Sequence, residues 1–308
     1  MAIAPFVITK AKVHRIPCRA LGFLGMWGGD RPEILIDGDR DEIWRKIVTF
    51  LLNDFTAWDI LDLSEQPLAG PAGNGWDLLA RPGLQLERND DAVDYYVPLE
   101  GTFDDYLKCL SANTRSDWRR KTRRLKEHLD RFEIECVSTP EQMQNALGRF
   151  VDLERLGWKI DAGVAAGQSE SHLAFYGGVI AHLAQTGEVE FYFLKGNATD
   201  VACVMNFYHR DVAYMRHTIY NPAFADFSPG IVLLAEVIGR LFGCGYKEYD
   251  LLGMRESSGP QRYKLQWGKG RRDTVQWVGY RAKGRLLPWL AAKKLKSLIL
   301  AKSASQAA

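Results

Sequence analysis

The residues from Ser228 to Ile231 have the types and order of an anion-binding helix start. The run Ser-Pro-Gly-Ile opens an apolar stretch with helical periodicity. Proline suits the first helical turn, and the N–H groups exposed there favour an anion such as a pyrophosphate, as does the helix dipole. Gly230 also lets a ligand approach the backbone closely. We therefore predict that Ser228, Pro229, Gly230 and Ile231 bind cofactor phosphates, although an ordinary helix start could have the same residues.

Three nearby side chains could move a proton. Asp250 lies at the end of an apolar, strand-like run, and Glu256 lies in the loop that follows. Both are candidate general bases. His217 lies on another strand-like run, and histidine is a residue type that can change its charge near neutral pH. Structural alternatives remain open: a strand-end aspartate that bonds a loop, an exposed glutamate and a packed histidine.

The elements around these residues follow a regular order. The pattern predicts two strands joined by a tight turn, a loop, a helix, a third strand and a short helix-like segment. Their ranges are 201–208, 212–220, 231–242, 246–252 and 260–267. Ligands of α/β sheets bind outside the carboxyl ends of the strands, and this layout can hold a phosphate-bearing thioester.

Further elements are predicted on both sides of this region. Apolar periodicity indicates helices over 41–53, 103–129, 140–155 and 169–184. Alternating apolar residues indicate strands at 12–16, 19–24, 33–36, 58–63, 83–98, 132–137, 188–194 and 273–280. The Pro/Gly-rich segment 67–75 predicts a loop.

Composition excludes several classes of protein. The five cysteines have no CxxC spacing, which argues against a zinc site or a disulfide framework and fits a reducing cytoplasm. We expect no metal. The sequence has no signal-peptide pattern and no apolar window of about 20 residues. HExxH, GxSxG and Walker lysine motifs are also missing, so nothing supports a hydrolase or an NTP-dependent enzyme.

Positive charge is concentrated in two segments. From Lys269 onward there are ten basic residues and one acidic residue, Asp273, a net charge of +9 in a chain of +2. The segment Arg115–Lys126 contains seven basic residues and one acidic residue, Asp117. Such segments are most often solvated faces, but they also bind phosphate, nucleic acid or anionic lipid.

The region of about residues 102–280 resembles the second half of a GNAT-type acyltransferase domain. It is most similar to the branch of Fem-type peptidoglycan aminoacyltransferases and cellulose-biosynthesis-associated acetyltransferases. Four features together carry the resemblance: Gly157-Trp158-Lys159, Phe175-Tyr176, Ser228-Pro229-Gly230, and Asp250-Leu-Leu-Gly253 followed by Tyr263-Lys264-Leu-Gln-Trp267.

The resemblance implies acetyl-CoA or another acyl-CoA as co-substrate. Tyr263 lies where many GNAT enzymes have a tyrosine that protonates the leaving thiolate; otherwise it is a packed aromatic residue. Trp158 and Lys159 would line the acceptor or acyl pocket, or Trp158 would anchor a helix end. Lys264 would pair with a phosphate or with Asp250. The family's fold also separates two adjacent strands, so N–H groups of the strand 212–220 could polarise the thioester carbonyl.

The predicted fold is α/β with a mixed sheet, built as tandem GNAT-like domains of which the first is short or degenerate. The expected division is a first domain over 1–101, a basic linking helix over 102–131, an acyltransferase domain over 132–283 and a basic amphipathic tail over 284–308.

The predicted function is transfer of an acyl group from acyl-CoA to an amine or hydroxyl of a sugar, amino sugar or cell-envelope precursor. One alternative is a Fem-like transferase that uses aminoacyl-tRNA, with the basic helix as its tRNA contact. The other is a non-catalytic adaptor for nucleic acid or a membrane surface. We expect a small-molecule or saccharide acceptor and a cytoplasmic protein. Two alternatives remain open for the tail: a helix that docks on the second domain and exposes its lysines, which such patterns favour, or a weak contact with the inner face of an anionic membrane.

Overall fold

A computed structural model describes residues 1–24, 31–68, 75–157, 165–196, 198–254, 262–281 and 286–288. The strands there are β1 (Ala2–Ile3), β2 (Phe6–Val13), β3 (Ile16–Phe23), β4 (Leu35–Ile36), β5 (Ile60–Pro67), β6 (Leu84–Pro98), β7 (Glu133–Val137), β8 (Val189–Gly196), β9 (Thr199–His209), β10 (Val212–Tyr220), β11 (Glu248–Met254) and β12 (Gly270–Arg281). The helices are α1 (Arg40–Thr49), α2 (Phe103–Cys109), α3 (Ala112–His128), α4 (Pro140–Leu156), α5 (Glu170–Ala184), α6 (Pro229–Leu241) and α7 (Tyr263–Trp267).

The chain divides into two compact units. The first contains residues 1–93 and the described residues from Arg272 onward, and the second contains residues 94–271. In the first unit, β2 and β3 form an antiparallel hairpin, β3 pairs in parallel with β5, and β5 pairs antiparallel with β12. Its core includes four buried tryptophans, Trp44, Trp58, Trp76 and Trp277.

Two of these buried indole N–H groups have hydrogen-bond partners within the unit. Trp58 donates to the carbonyl of Leu51 at 3.2 Å, and Trp76 donates to the side-chain oxygen of Gln66 at 3.2 Å. These bonds let large indoles be buried without leaving a donor unpaired, which would cost about 1–3 kcal/mol each.

The second unit contains a mixed sheet. Strand β7 pairs antiparallel with β8, β8 with β9, and β9 with β10, whereas β10 and β11 run parallel. The parallel pair is joined by α6, as parallel strands require a crossover connection. These findings confirm the predicted mixed α/β fold.

Helices cover both faces of this sheet. On one face α3 and α6 bury residues such as Leu125 and Val232, and this cluster is called the α6-side core. On the other face α4 and α5 bury residues such as Phe150 and Tyr176, which form the α4-side core. Neighbouring residues of β9 alternate between the two: Val204 belongs to the α6-side core and Met205 to the α4-side core.

A buried polar network crosses the α6 side of the sheet. The Tyr249 hydroxyl donates to Asn206 Oδ1 at 2.9 Å, and Asn206 Nδ2 donates to the Tyr208 hydroxyl at 3.3 Å. Glu190 then accepts from Tyr208 at 2.5 Å and from Tyr192 at 2.6 Å. Burial raises the pKa of Tyr192, Tyr208 and Tyr249, so these phenols stay protonated. The network therefore links β8, β9 and β11.

Two predicted elements are interrupted. The strand expected over 12–16 is broken by a turn at His14 and Arg15, which have φ of 46° and 70°. Two central residues with positive φ fit a tight hairpin, but the usual Asn-Gly signal is missing from the sequence. The helix expected over 103–129 is two helices, because Leu110 is extended and Ser111 caps α3 by accepting from the Thr114 N–H at 3.1 Å.

The unit boundaries differ from the expected ones. Residues 102–131, expected as a separate linking helix, belong to the second unit because Leu125 and Leu129 are buried in the α6-side core. Most of β12, expected in the second domain, belongs to the first unit because it pairs with β5. Apart from Leu286–Pro288, the expected tail lies outside the described residues. No helix in the described part of the chain is long and apolar enough to cross a membrane.

Glycine substitutions should test the packing of the second unit. A Cβ at Gly196, the last residue of β8, would lie 2.7 Å from Leu129 and 2.9 Å from the carbonyl of Arg131. We predict that Gly196→Ala destabilises the protein by about 1–3 kcal/mol, as overpacking does.

Gly148, exposed within α4, has no atom within 4 Å of its Cβ position. Gly148→Ala should therefore stabilise the helix by about 0.5–1 kcal/mol.

Urea unfolding measures both effects as shifts of the transition midpoint. The dependence of the unfolding free energy on urea concentration should stay the same in both variants, which shows that the denatured state is unchanged. Equal midpoints for the two variants would contradict the close packing of β8 against the segment after α3.

Candidate functional site

The hydrogen-bonded ladder between β10 and β11 is short. It joins Val212–Tyr214 to Glu248–Asp250, after which β10 continues to Tyr220 and β11 to Met254 without further pairing to each other. The second half of β10 pairs only with β9 in the described structure. Because both strands continue, the end of their ladder marks an opening at one edge of β10. This arrangement is the separation of strands that the resemblance implied.

A bulge in β10 lies two residues beyond the last ladder pair. The register with β9 shifts between Met215 and His217, which leaves Arg216 as the extra residue. Met215 belongs to the α6-side core, whereas Ile219 belongs to the α4-side core. A regular strand would direct both residues to one face. The bulge therefore turns the second half of β10, and it brings His217 to the α4 side, with its ring centroid 5.8 Å from that of Phe150.

Arg216, His217 and Tyr176 form a hydrogen-bonded group at this bulge. The Tyr176 hydroxyl lies 2.8 Å from His217 Nε2 and accepts from Arg216 Nη2 at 2.9 Å. The Tyr176 and His217 rings meet edge to face with centroids 5.3 Å apart. Tyr176 is only 5% exposed, so its hydroxyl is fixed in a largely dry environment. Of the predicted site residues, His217 is the one in this group.

The helix start at Ser228–Ile231 lies beside the end of β10. Ser228 has φ of 50° and ψ of 53°, and its side chain does not cap α6. Its carbonyl accepts the N–H groups of Ile231 at 3.0 Å and Val232 at 3.3 Å. A Cβ at Gly230 would lie 3.6 Å from the Tyr220 ring. The positive end of the α6 dipole therefore faces the region where β10 ends.

Asp250 is buried at the last ladder pair. Its carboxylate accepts the N–H of Leu252 at 2.8 Å, and Leu252 has φ of +62°. A left-handed conformation costs a leucine roughly 1–2 kcal/mol, and the bond from Asp250 helps to hold it. The contact is the structural alternative considered for this residue. The candidate base role of Asp250 stays a prediction.

Lys264 extends from α7 to the backbone of β11. Its ammonium group donates to the carbonyls of Gly253 at 3.0 Å and Leu252 at 3.4 Å, and the side chain is buried. A buried ammonium group requires such partners. Lys264 therefore helps to fix the segment of β11 beyond the ladder.

Tyr263 is half-buried and packs against the α6-side core. Burial raises its pKa above the ordinary value of a phenol. The hydroxyl therefore keeps its proton at neutral pH, as a proton donor must. Its expected role as acid stays a prediction. Glu256, Trp158 and Lys159 lie outside the described residues, so the structure gives no position for them.

Three residues near the bulge had no role assigned from sequence: Tyr176, Arg216 and Glu154. Glu154 is fully buried on α4, one turn after Phe150, and its Oε2 accepts the N–H of Gly167 at 3.1 Å. Two adjacent polar residues, Arg216 and His217, inside an otherwise apolar strand were the available signal of a bulge. The contact with Tyr176 spans 41 residues and could not be inferred from spacing.

The described residues contain no group of histidine, cysteine, aspartate and glutamate side chains suited to a metal ion.

Comparisons with solved structures show the same fold. A conserved protein of unknown function from Bacteroides thetaiotaomicron VPI-5482 matches with a TM-score of 0.57 at 13% identity, over 90% of this chain and 84% of that one. FemX matches with a TM-score of 0.57 at 10% identity, over 89% and 83% of the two chains. L-PGS from Bacillus licheniformis matches with a TM-score of 0.51 at 13% identity, over 94% and 86%. At these identities the likeness establishes the fold alone.

Comparison at the level of sequence identifies the family. No curated protein matches the chain. The sequence model of the acetyltransferase (GNAT) domain matches residues 112–265, which is half of the chain. The matched range runs from the start of α3 through the bulge in β10 to Leu265 in α7. This protein therefore belongs to the family of GNAT-type acetyltransferase domains.

Proposed function

We propose that this protein transfers an acyl group from acyl-CoA to an amine or hydroxyl of a sugar, amino sugar or cell-envelope precursor. The observation that carries the proposal is the end of the β10–β11 ladder beside the start of α6. A thioester carbonyl placed in that opening would meet N–H groups of β10, and the coenzyme's pyrophosphate would meet the α6 N-terminus. The acceptor class comes from the resemblance to envelope and polysaccharide enzymes.

The two faces of the sheet suggest how donor and acceptor would be separated. The start of α6 favours a phosphate group near Gly230 and Tyr220. The group around Tyr176 lies on the α4 side of the same strand and suits an acceptor that must lose a proton. Tyr263, held as a neutral phenol, would protonate the departing thiolate. An amine or hydroxyl could then attack from one side while the thiol leaves on the other.

Substitution of Gly230 tests the proposed phosphate site. Gly230→Asp would place a carboxylate near the pyrophosphate, and like charges about 5 Å apart repel by roughly 3 kcal/mol at an effective dielectric constant of about 20. We predict a loss of acetyl-CoA affinity of about 100-fold, measured by calorimetry or thermal shift.

Gly230→Ala is the matched control. Its Cβ would make an ordinary contact, 3.6 Å from Tyr220, so this variant should fold and keep its coenzyme affinity. A folded Gly230→Asp protein with wild-type affinity for acetyl-CoA would remove Ser228–Ile231 from the proposed site.

Tyr263→Phe tests the proposed proton donor. Because a proton donor acts in the transition state, the substitution should lower kcat by about 10²–10⁴-fold and leave the Kd of the coenzyme nearly unchanged. Burial raises the pKa of Tyr263, so alkaline pH below about 10 should not remove its proton in the wild-type protein. Wild-type turnover in the variant, with chemistry rate-limiting, would make Tyr263 a packing residue.

A second candidate is a Fem-like transfer from aminoacyl-tRNA, favoured by one observation. Helix α3 has a row of exposed basic side chains along one side: Arg119, Arg120, Arg123, Arg124 and Lys126. Asp117 neutralises part of this charge through Arg120 at 2.6 Å and Lys121 at 2.7 Å. The helix is anchored in the second unit, so its exposed face is a fixed cationic surface.

Salt dependence distinguishes the two donors. If α3 binds tRNA, log K should fall linearly with log salt concentration, and the double variant Arg119→Glu, Arg123→Glu should flatten that slope. Thermal stabilisation by acetyl-CoA without any tRNA binding would favour the acyl-CoA donor. Tight tRNA binding with no effect of acetyl-CoA would favour the aminoacyl-tRNA donor instead.

A further inference from the structure

We propose that Arg124 and His128 bind the 3′-phosphate of the coenzyme, so that the protein selects CoA over 3′-dephospho-CoA. This inference rests on the proposed function and adds a phosphate site beside the one assigned to Ser228–Ile231. The first observation is a cluster around one aromatic ring. The His128 ring stacks on the Phe227 ring with centroids 4.3 Å apart, and the Arg124 guanidinium lies 5.4 Å from the centre of the same phenyl ring.

This cluster adjoins the proposed pyrophosphate site. Phe227 ends a short 3-10 helix, Pro222–Phe227, and the next residue, Ser228, begins the turn into α6. Arg124 and His128 lie four residues apart near the end of α3, and residues at that spacing share one side of a helix. In CoA the 3′-phosphate and the pyrophosphate are attached to the same ribose. A second phosphate site next to the first is therefore what the coenzyme requires.

The two basic side chains are available to a ligand. Both Arg124 and His128 are exposed at the surface, so a phosphate can reach them without entering a cavity. In the described part of the chain neither forms an ion pair with a carboxylate, whereas Arg120 on the same helix lies 2.6 Å from Asp117. A phosphate monoester carries a charge of about −1.5 to −2 at pH 7, and it forms strong hydrogen bonds with a guanidinium group.

Contact with Phe227 restricts both side chains before a ligand binds. The Phe227 ring packs against the α6-side core, and the His128 ring also meets Phe224 edge to face, with centroids 6.0 Å apart. A stacked imidazole keeps its nitrogen atoms at the ring edge, where an N–H group can donate to a phosphate oxygen. Because these side chains are already held against an aromatic ring, binding costs less side-chain entropy than it would at a mobile surface arginine.

Paired measurements with CoA and 3′-dephospho-CoA test the site. The two ligands differ only in the 3′-phosphate, so the ratio of their dissociation constants isolates its contribution. Calorimetry on the full chain should show CoA binding about 10-fold more tightly than 3′-dephospho-CoA, as a hydrogen bond between charged groups predicts. Arg124→Gln should reduce that ratio to nearly one. Its affinity for 3′-dephospho-CoA should stay close to that of the wild-type protein.

Three further variants separate the phosphate contact from packing and from net charge. His128→Phe keeps a ring that can stack on Phe227 and removes the N–H donor, so it should lower the ratio by about threefold. Arg124→Lys keeps the charge and should retain part of the preference for CoA. Arg155→Gln is the matched control, because it removes one exposed positive charge from α4, on the other face of the sheet. Its ratio should equal that of the wild-type protein.

Several results would overturn the site. Equal affinity of the wild-type protein for both ligands would do so while the proposed function stands. An unchanged ratio in Arg124→Gln and His128→Phe, both with wild-type melting temperatures, would have the same meaning. If wild-type protein binds the two ligands equally but loses tRNA binding on Arg124→Gln, the cluster is a nucleic-acid contact instead. If neither coenzyme form binds, the proposed function itself fails, and this inference fails with it.

Discussion

The second unit depends on the point at which β10 stops pairing with β11. Backbone N–H and carbonyl groups normally find partners, so a parallel ladder that ends while both strands continue is a costly feature that requires support. Here the ladder contains only the residues from Val212 to Tyr214 and their partners. This opening is where we propose that the thioester binds, and the bulge at Arg216 lies along the same part of β10.

Support for this opening comes from side chains that hold β11 in place. On the α6 side, Tyr249 of β11 is tied through Asn206 to Tyr208, so the paired part of the ladder is fixed to β9. Beyond the ladder, Asp250 and Lys264 hold the backbone of β11 around Leu252. The strand is therefore kept in position by side chains where its backbone bonds to β10 have ended.

The polar groups on the two faces differ in chemical character. The α6-side network ends at Glu190, and burial raises the pKa of its phenols, so those protons do not move near neutral pH. The group on the α4 side contains an imidazole, whose neutral form has one donor and one acceptor nitrogen. One network therefore suits a structural role and the other suits proton transfer, although both are built from tyrosines in the same unit.

The sequence alone determined the elements and their order. The limits of β10 were predicted to the residue, and α6 nearly so, because apolar periodicity and the Ser-Pro-Gly start are local signals. The mixed α/β class and the GNAT-type family followed from that order. Local signals failed where a turn used unusual residues, as at His14 and Arg15, or where Ser111 capped a helix inside a continuous apolar pattern.

Only the tertiary structure decided which side chains meet. His217 was a candidate from its residue type, but its partner Tyr176 lies on another helix, and the two come together because a bulge turns half of β10 to the α4 side. A bulge depends on the register between two strands, and register is set by packing on both faces of the sheet. The sequence therefore determines which reactive side chains are present. The packing of the sheet determines which of them come into contact.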